Sequence, residues 1–187
     1  MKTLKTIQTL SKIAKIFSKI IFICSIVGLC CCIAGTISAA IGMEAFKIGD
    51  VTFKSILQKE AGISEGDLYL SMIIGAIYCA GTIFLAKFAE VYFDRELKAG
   101  TPFTFDGSKE LMRLGILSIC IPVAEQIFSA IAYAVMLRAF SGTNEPELEA
   151  AGSVSIGIAF IILSLICKYG AEMIQSKADI SDEINGG

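Results

Sequence analysis

Four long apolar runs, each bounded by charged residues, organise this chain. Ile20 to Ile41 is 22 residues without a charge, Leu68 to Ala86 is a second run, Leu114 to Leu137 a third of 24 residues, and Gly152 to Cys167 a fourth. At about 1.5 Å per helical residue the third covers about 36 Å, more than the roughly 30 Å of a hydrocarbon core. The pattern predicts an all-α integral membrane protein, a four-helix bundle whose spans lie at 20–41, 68–86, 114–137 and 152–167 of a single membrane domain covering 1–187. Its first partner is therefore the lipid bilayer.

Ahead of the first run, Lys2, Lys5, Lys12, Lys15 and Lys19 alternate with Leu4, Ile7, Leu10, Ile13 and Ile16. Apolar residues at spacings of three predict an amphipathic N-terminal lead-in lying on the inner membrane face. A basic start followed by Ser38 and Ala40 also fits a cleaved secretory signal, but the apolar run is longer than the 7 to 15 residues such a signal uses. Along the first span Cys24, Gly28, Cys31, Gly35, Ser38 and Gly42 recur at steps of four and three, a stripe of small side chains that lets another helix approach. Gly75, with Ser71, Tyr78 and Thr82, marks the corresponding face of the second span.

The links follow from the same pattern. Residues 44–67 read as an outside loop with one short amphipathic helix, and 138–151 as a shorter acidic loop carrying Glu145, Glu147 and Glu149. In the connector 87–113 the helical pattern of span two continues through Lys87, Glu90, Asp94 and Lys98, so this helix is expected to project beyond the bilayer. Gly100 ends it and Pro102 enforces the stop, because the residue before a proline avoids helical geometry. Thr104 or Asp106 is then placed to cap the third helix.

Composition strengthens this picture and removes several chemistries. Hydrophobic residues make up 55% of the chain and charged ones 18%, with a net charge of -2, so no basic surplus for nucleic acid exists. Lys and Arg are unevenly placed: five precede the first span, five lie in 87–113 and two follow the fourth span, against three and one in the outside loops. The positive-inside rule then sets both termini in the cytoplasm of a plasma-membrane protein. All 7 cysteines fall within apolar runs, where they act as small apolar residues. Cys30, Cys31 and Cys32 point about 100° apart on a helix and do not converge on a metal. With 0 histidines, and without a phosphate loop, zinc-protease motif or nucleophile elbow, no catalytic residue, metal or cofactor is expected.

One acid stands out. Glu125 lies about 17 Å from the inner end of span three by helical rise, close to the bilayer midplane, where a charge costs about 2.5 kcal/mol or more. Ser118, Pro122, Glu125 and Ser129 follow steps of four, three and four, so one face gathers the polar atoms, with Gln126 beside it. Pro122 lacks an N–H, frees the Ser118 carbonyl and permits a kink one turn before the acid. Two readings share this pattern: a neutral acid bonded across helices to Tyr78, Thr82 or Ser164, or an ion or proton site. Lys168 is the nearest cationic candidate, with Glu172 four residues on as its rival partner.

The stretch Gly100, Thr101, Pro102, Phe103 and Thr104, followed by Leu111, Leu114 and Gly115, resembles the domain-of-unknown-function 2975 family of small bacterial four-span membrane proteins. Gly170, Ala171, Glu172 and Met173, then Asp179 and Ile180, give a second point of similarity; Phe105 and Asp106 depart from the family's pattern. The resemblance implies a bacterial plasma-membrane protein and no particular activity. Taken together, the residues lead us to expect a non-enzymatic interaction or regulatory role, with a second copy, a membrane protein or a cytoplasmic protein as partner. Proton- or cation-coupled transport through Glu125 is the alternative.

Overall fold

The computed structural model describes residues 2–41, 47–48, 51–52, 65–101, 103–140 and 151–185. Helix α1 is Lys2–Ile41, α2 Glu65–Ala99, α3 Phe105–Ala139 and α4 Ala151–Asn185; strands β1 Lys47–Ile48 and β2 Val51–Thr52 pair antiparallel between α1 and α2. The fold is an all-α four-helix bundle, and all four helices are long and apolar enough to cross a membrane. Gly42 of the stripe, Pro102 and residues 141–150 lie outside the described residues, as does most of 44–67, including 53–64.

At the start of the chain the lead-in and the first span form one helix of 40 residues. No proline or glycine between Lys2 and Val27 breaks it, and its polar side chains find partners on α2. At the other end of α2, Gly100 has φ 75° and donates its N–H to the Glu96 carbonyl at 3.0 Å. That left-handed conformation is open to glycine without steric cost, and it closes the helix. Thr104 then caps α3: its Oγ1 accepts from the Gly107 N–H at 3.0 Å and its carbonyl from the Ser108 N–H at 3.0 Å. Asp106 sits in the first turn, where a carboxylate favours the helix dipole. α3 continues through the buried Pro122.

The chain packs as two compact units. The first comprises residues 1–22, 84–121 and 151–187. Tyr92, Leu111, Leu114 and Cys167 form its buried cluster, with Ala89, Phe93 and Phe160 against it. α3 and α4 run antiparallel in backbone contact. A Cβ on Gly157 would lie 2.4 Å from Ile119 Cγ1 and 2.9 Å from the Gly115 carbonyl; one on Gly115 would lie 3.0 Å from the Gly157 carbonyl. Seven residues back along α3 and seven forward along α4, Ser108 and Ser164 exchange hydrogen bonds. Further on, Phe103 rests against Gly170.

The second unit comprises residues 23–83 and 122–150. Here the small residues of α1 meet α2, with Gly28 against Cys79 Sγ, Gly35 against Met72 and Gly75 against Cys32 Sγ. Among the stripe residues Cys31 is exposed and Cys32 makes the contact instead. On a helix of 3.6 residues per turn, positions 31 and 32 flank the line joining 28 and 35 on opposite sides, and α2 lies on the side of 32. Ser38 is half-buried. Tyr69 stacks on Phe140 with ring centroids 5.6 Å apart.

Candidate functional site

Two places concentrate polar groups. The first is the α3 face around Glu125. Ser118, Pro122, Glu125 and Ser129 are all buried, and Gln126 is half-buried. Ser118 is satisfied within its own helix, its Oγ donating to the Leu114 carbonyl at 2.9 Å. Glu125 is 8% exposed and, among the described residues, makes no hydrogen bond; Tyr78 of α2 is its electrostatic neighbour. Ser129, one turn on, is 0% exposed and its Oγ has no hydrogen-bond partner among the described residues. The other groups suggested as partners are engaged elsewhere. Thr82 Oγ1 donates to the Tyr78 carbonyl at 2.8 Å, Ser164 belongs to the Ser108 exchange, and Lys168 lies 3.9 Å from Glu172 on its own helix, both half-exposed. Glu125 and Ser129 therefore face each other's neighbourhood with unmet polar capacity.

The second place is the basic end of the first unit, where α1, α2 and α3 meet in a ladder of polar contacts. Gln8 Nε2 donates to the Gly100 carbonyl at 3.2 Å, Ser11 Oγ to Glu96 at 3.0 Å, and Lys15 Nζ to Asp94 at 2.6 Å. Lys98 meets the other Asp94 oxygen at 2.7 Å. Asp94 lies eight residues past the end of the apolar run, and its two ammonium partners hold its carboxyl at about 2, below the ordinary 3.8. Lys87 pairs with Glu90 at 2.9 Å and lies 5.4 Å from the centre of the Phe22 ring, which marks where the apolar part of α2 gives way to charge.

Arg95 of α2 pairs with Glu110 of α3 across the mouth of a cleft of about 560 Å³ that also takes in Glu96, Asp106, Lys109 and Arg113. The Gly100 to Thr104 turn supplies Thr101 and Thr104 to its lining. A narrower groove of about 170 Å³, lined by Phe88, Val91, Tyr92 and Leu114, shares Arg95, Glu110 and Arg113 with the cleft. Asp106, Lys109, Glu110 and Arg113 occupy one face of α3, at steps of three, one and three. Sequence reasoning located this connector and its charge balance. It missed Gln8, Ser11, Ser108 and Gly157, because single polar or small residues carry no periodic signal.

No family model, no curated protein and no solved structure matches the chain.

Proposed function

We propose that this is a bacterial plasma-membrane protein with both termini in the cytoplasm, non-enzymatic, which binds a protein partner through the helix ends at its basic end. The observation that carries this reading is the length and uncovered face of α1. Forty residues make a helix of about 60 Å, twice the hydrocarbon core. Its basic part shows Leu10, Ile13 and Phe17 at 66%, 48% and 61% exposure, between lysines and opposite the side that Ser11 and Lys15 turn to α2. Apolar residues at steps of three and four on an exposed helix are the pattern that a partner's helix or groove takes up. α4 adds Met173 and Ile180 beyond its own span, beside Lys177 and Ser176. The resemblance carried by Gly100 to Thr104 and Gly170 to Met173 points to the same cellular setting.

Photo-crosslinking in the native membrane tests this. With a benzoylphenylalanine at Ile13 or Met173, we expect one discrete protein adduct, absent when the probe stands at Val135. An adduct of twice the chain's mass identifies the partner as a second copy. Lipid adducts alone at all three positions contradict the reading.

A second reading rests on Glu125 and Ser129. Two neighbouring buried polar side chains without hydrogen-bond partners among the described residues suit a proton or small cation in transit, with Pro122 as the flexible point. Glu125→Gln keeps shape and removes titration, so it separates the two.

A further inference from the structure

We infer that the α2–α3 junction at the basic end is a specific site for a zwitterionic aminophospholipid of the phosphoethanolamine type, its acyl chain in the groove and its headgroup in the cleft. This inference uses the orientation proposed above and is independent of the protein partner.

The order of chemistry along the junction is the basis. Starting from the membrane side, Phe88, Val91, Tyr92 and Leu114 line an apolar groove. It opens at Arg95, Glu110 and Arg113, which belong to groove and cleft alike, and the cleft runs on past Lys109 to Asp106 and the Thr104 cap. An apolar wall, a mouth where Arg95 and Arg113 stand beside Glu110, and Asp106 further on give an acyl chain, its phosphate and its terminal ammonium each a complementary surface in that sequence.

The charges of the cleft also select among headgroups. Lys109 and Arg113 have no carboxylate within 4.0 Å among the described residues, and Asp106 has no cation. Glu96 is already occupied by the Ser11 hydroxyl and by Tyr92. The lining therefore sets Arg95, Lys109 and Arg113 against Glu96, Asp106 and Glu110, both signs in balance within one cavity. Arg95 is 65% exposed while Glu110 is 18% exposed, so the arginine is the mobile half of their pair. An entering phosphate takes Arg95 and Arg113, and the ammonium takes Glu110 and Asp106, so one internal ion pair is exchanged for four contacts to the ligand. Charge-assisted hydrogen bonds need N–H donors on the ligand. A quaternary choline headgroup has none, and a glycerol headgroup leaves both carboxylates facing a net anion.

The test uses the full chain, reconstituted in vesicles of equal dioleoyl phosphatidylethanolamine, phosphatidylglycerol and phosphatidylcholine. The protein is extracted in mild detergent and its retained lipid identified by mass spectrometry. Exposed charge pairs each contribute about 0.2–1 kcal/mol, so two give a preference of about twofold to thirtyfold for the ethanolamine lipid over either competitor. The D106N/E110Q pair of substitutions shifts retention to phosphatidylglycerol. Val91→Trp, which fills the groove from its exposed wall, lowers retention of all three. Equal retention of the three lipids by the native chain, or a preference for phosphatidylglycerol, overturns the inference, as does an unchanged ratio in the double variant. None of these outcomes alters the crosslinking at Ile13, so the two proposals stand or fall separately.

Discussion

Ser108 and Ser164 hold each other's backbone: Ser108 Oγ donates to the Ser164 carbonyl at 3.0 Å, and Ser164 Oγ donates to the Ser108 carbonyl at 2.8 Å. Both residues are buried, at 3% and 1% exposure. Interhelical hydrogen bonds inside membrane proteins contribute about 0.6 kcal/mol on average and up to about 1.7. Ser164→Ala should therefore cost about 1 kcal/mol in a steric-trapping unfolding measurement. The double Ser108→Ala, Ser164→Ala variant should show a coupling that the Ser118→Ala, Ser164→Ala pair lacks, because Ser118 bonds only within its own helix. Equal coupling in the two pairs contradicts the exchange.

Gly157 and Gly115 set the distance between α3 and α4. A Cβ on Gly157 would meet the Gly115 carbonyl at 2.9 Å, a backbone atom that cannot turn aside, whereas one on Gly28 would meet only Cys79 Sγ at 3.0 Å. Overpacking of this kind costs about 1–3 kcal/mol. Gly157→Ala is expected in the upper part of that range and Gly28→Ala near its lower end, measured in the same unfolding assay. The reverse order refutes the account of which helix pair is the tighter.

Gly100 carries the left-handed turn between α2 and α3. An L side chain in that conformation costs roughly 1–2 kcal/mol, and asparagine tolerates it best. Gly100→Ala should lower stability by about 1 kcal/mol, Gly100→Asn by less. Both should also weaken the Gln8 contact to the Gly100 carbonyl, seen as faster amide exchange in the first turns of α1.

Asp94 gives the basic end a pH dependence with a definite sign. Its hydrogen bonds from Lys15 and Lys98 lower the folded-state value to about 2, from 3.8. A group whose folded value is depressed stabilises fully above its unfolded value, and that contribution is lost as pH falls toward 2. The thermal midpoint of the native chain should therefore fall between pH 4 and pH 2 more steeply than that of Asp94→Asn. Parallel curves for the two proteins exclude a native-state role for the Lys15–Asp94–Lys98 cluster.

The membrane-crossing helices were legible because hydropathy and length follow directly from the bilayer's thickness, and the turn at Gly100 to Thr104 because glycine and a capping threonine each have one local task. Facing was harder. The α1 stripe assigned Cys31 where the contact belongs to Cys32, since alternating steps of three and four leave a residual rotation that only the partner helix resolves. The partners of the lead-in were not legible, because amphipathic spacing shows that one face is polar, not whether that face meets water or the polar groups of α2. Glu125 was located on its buried face, but what surrounds it depends on tertiary register. Tyr78 is its neighbour, while Ser164 and Lys168, equally plausible by spacing, are engaged on the other unit.

We propose that this protein works through its charged end and not by passing an ion at Glu125. Proteoliposomes carrying a pH gradient and an internal pH dye test it, with wild type and Glu125→Gln compared with protein-free vesicles under an imposed potential. We predict that both proteins leave the gradient decaying at the protein-free rate. A faster decay in the wild type that Glu125→Gln abolishes contradicts the claim and makes Glu125 and Ser129 the working site.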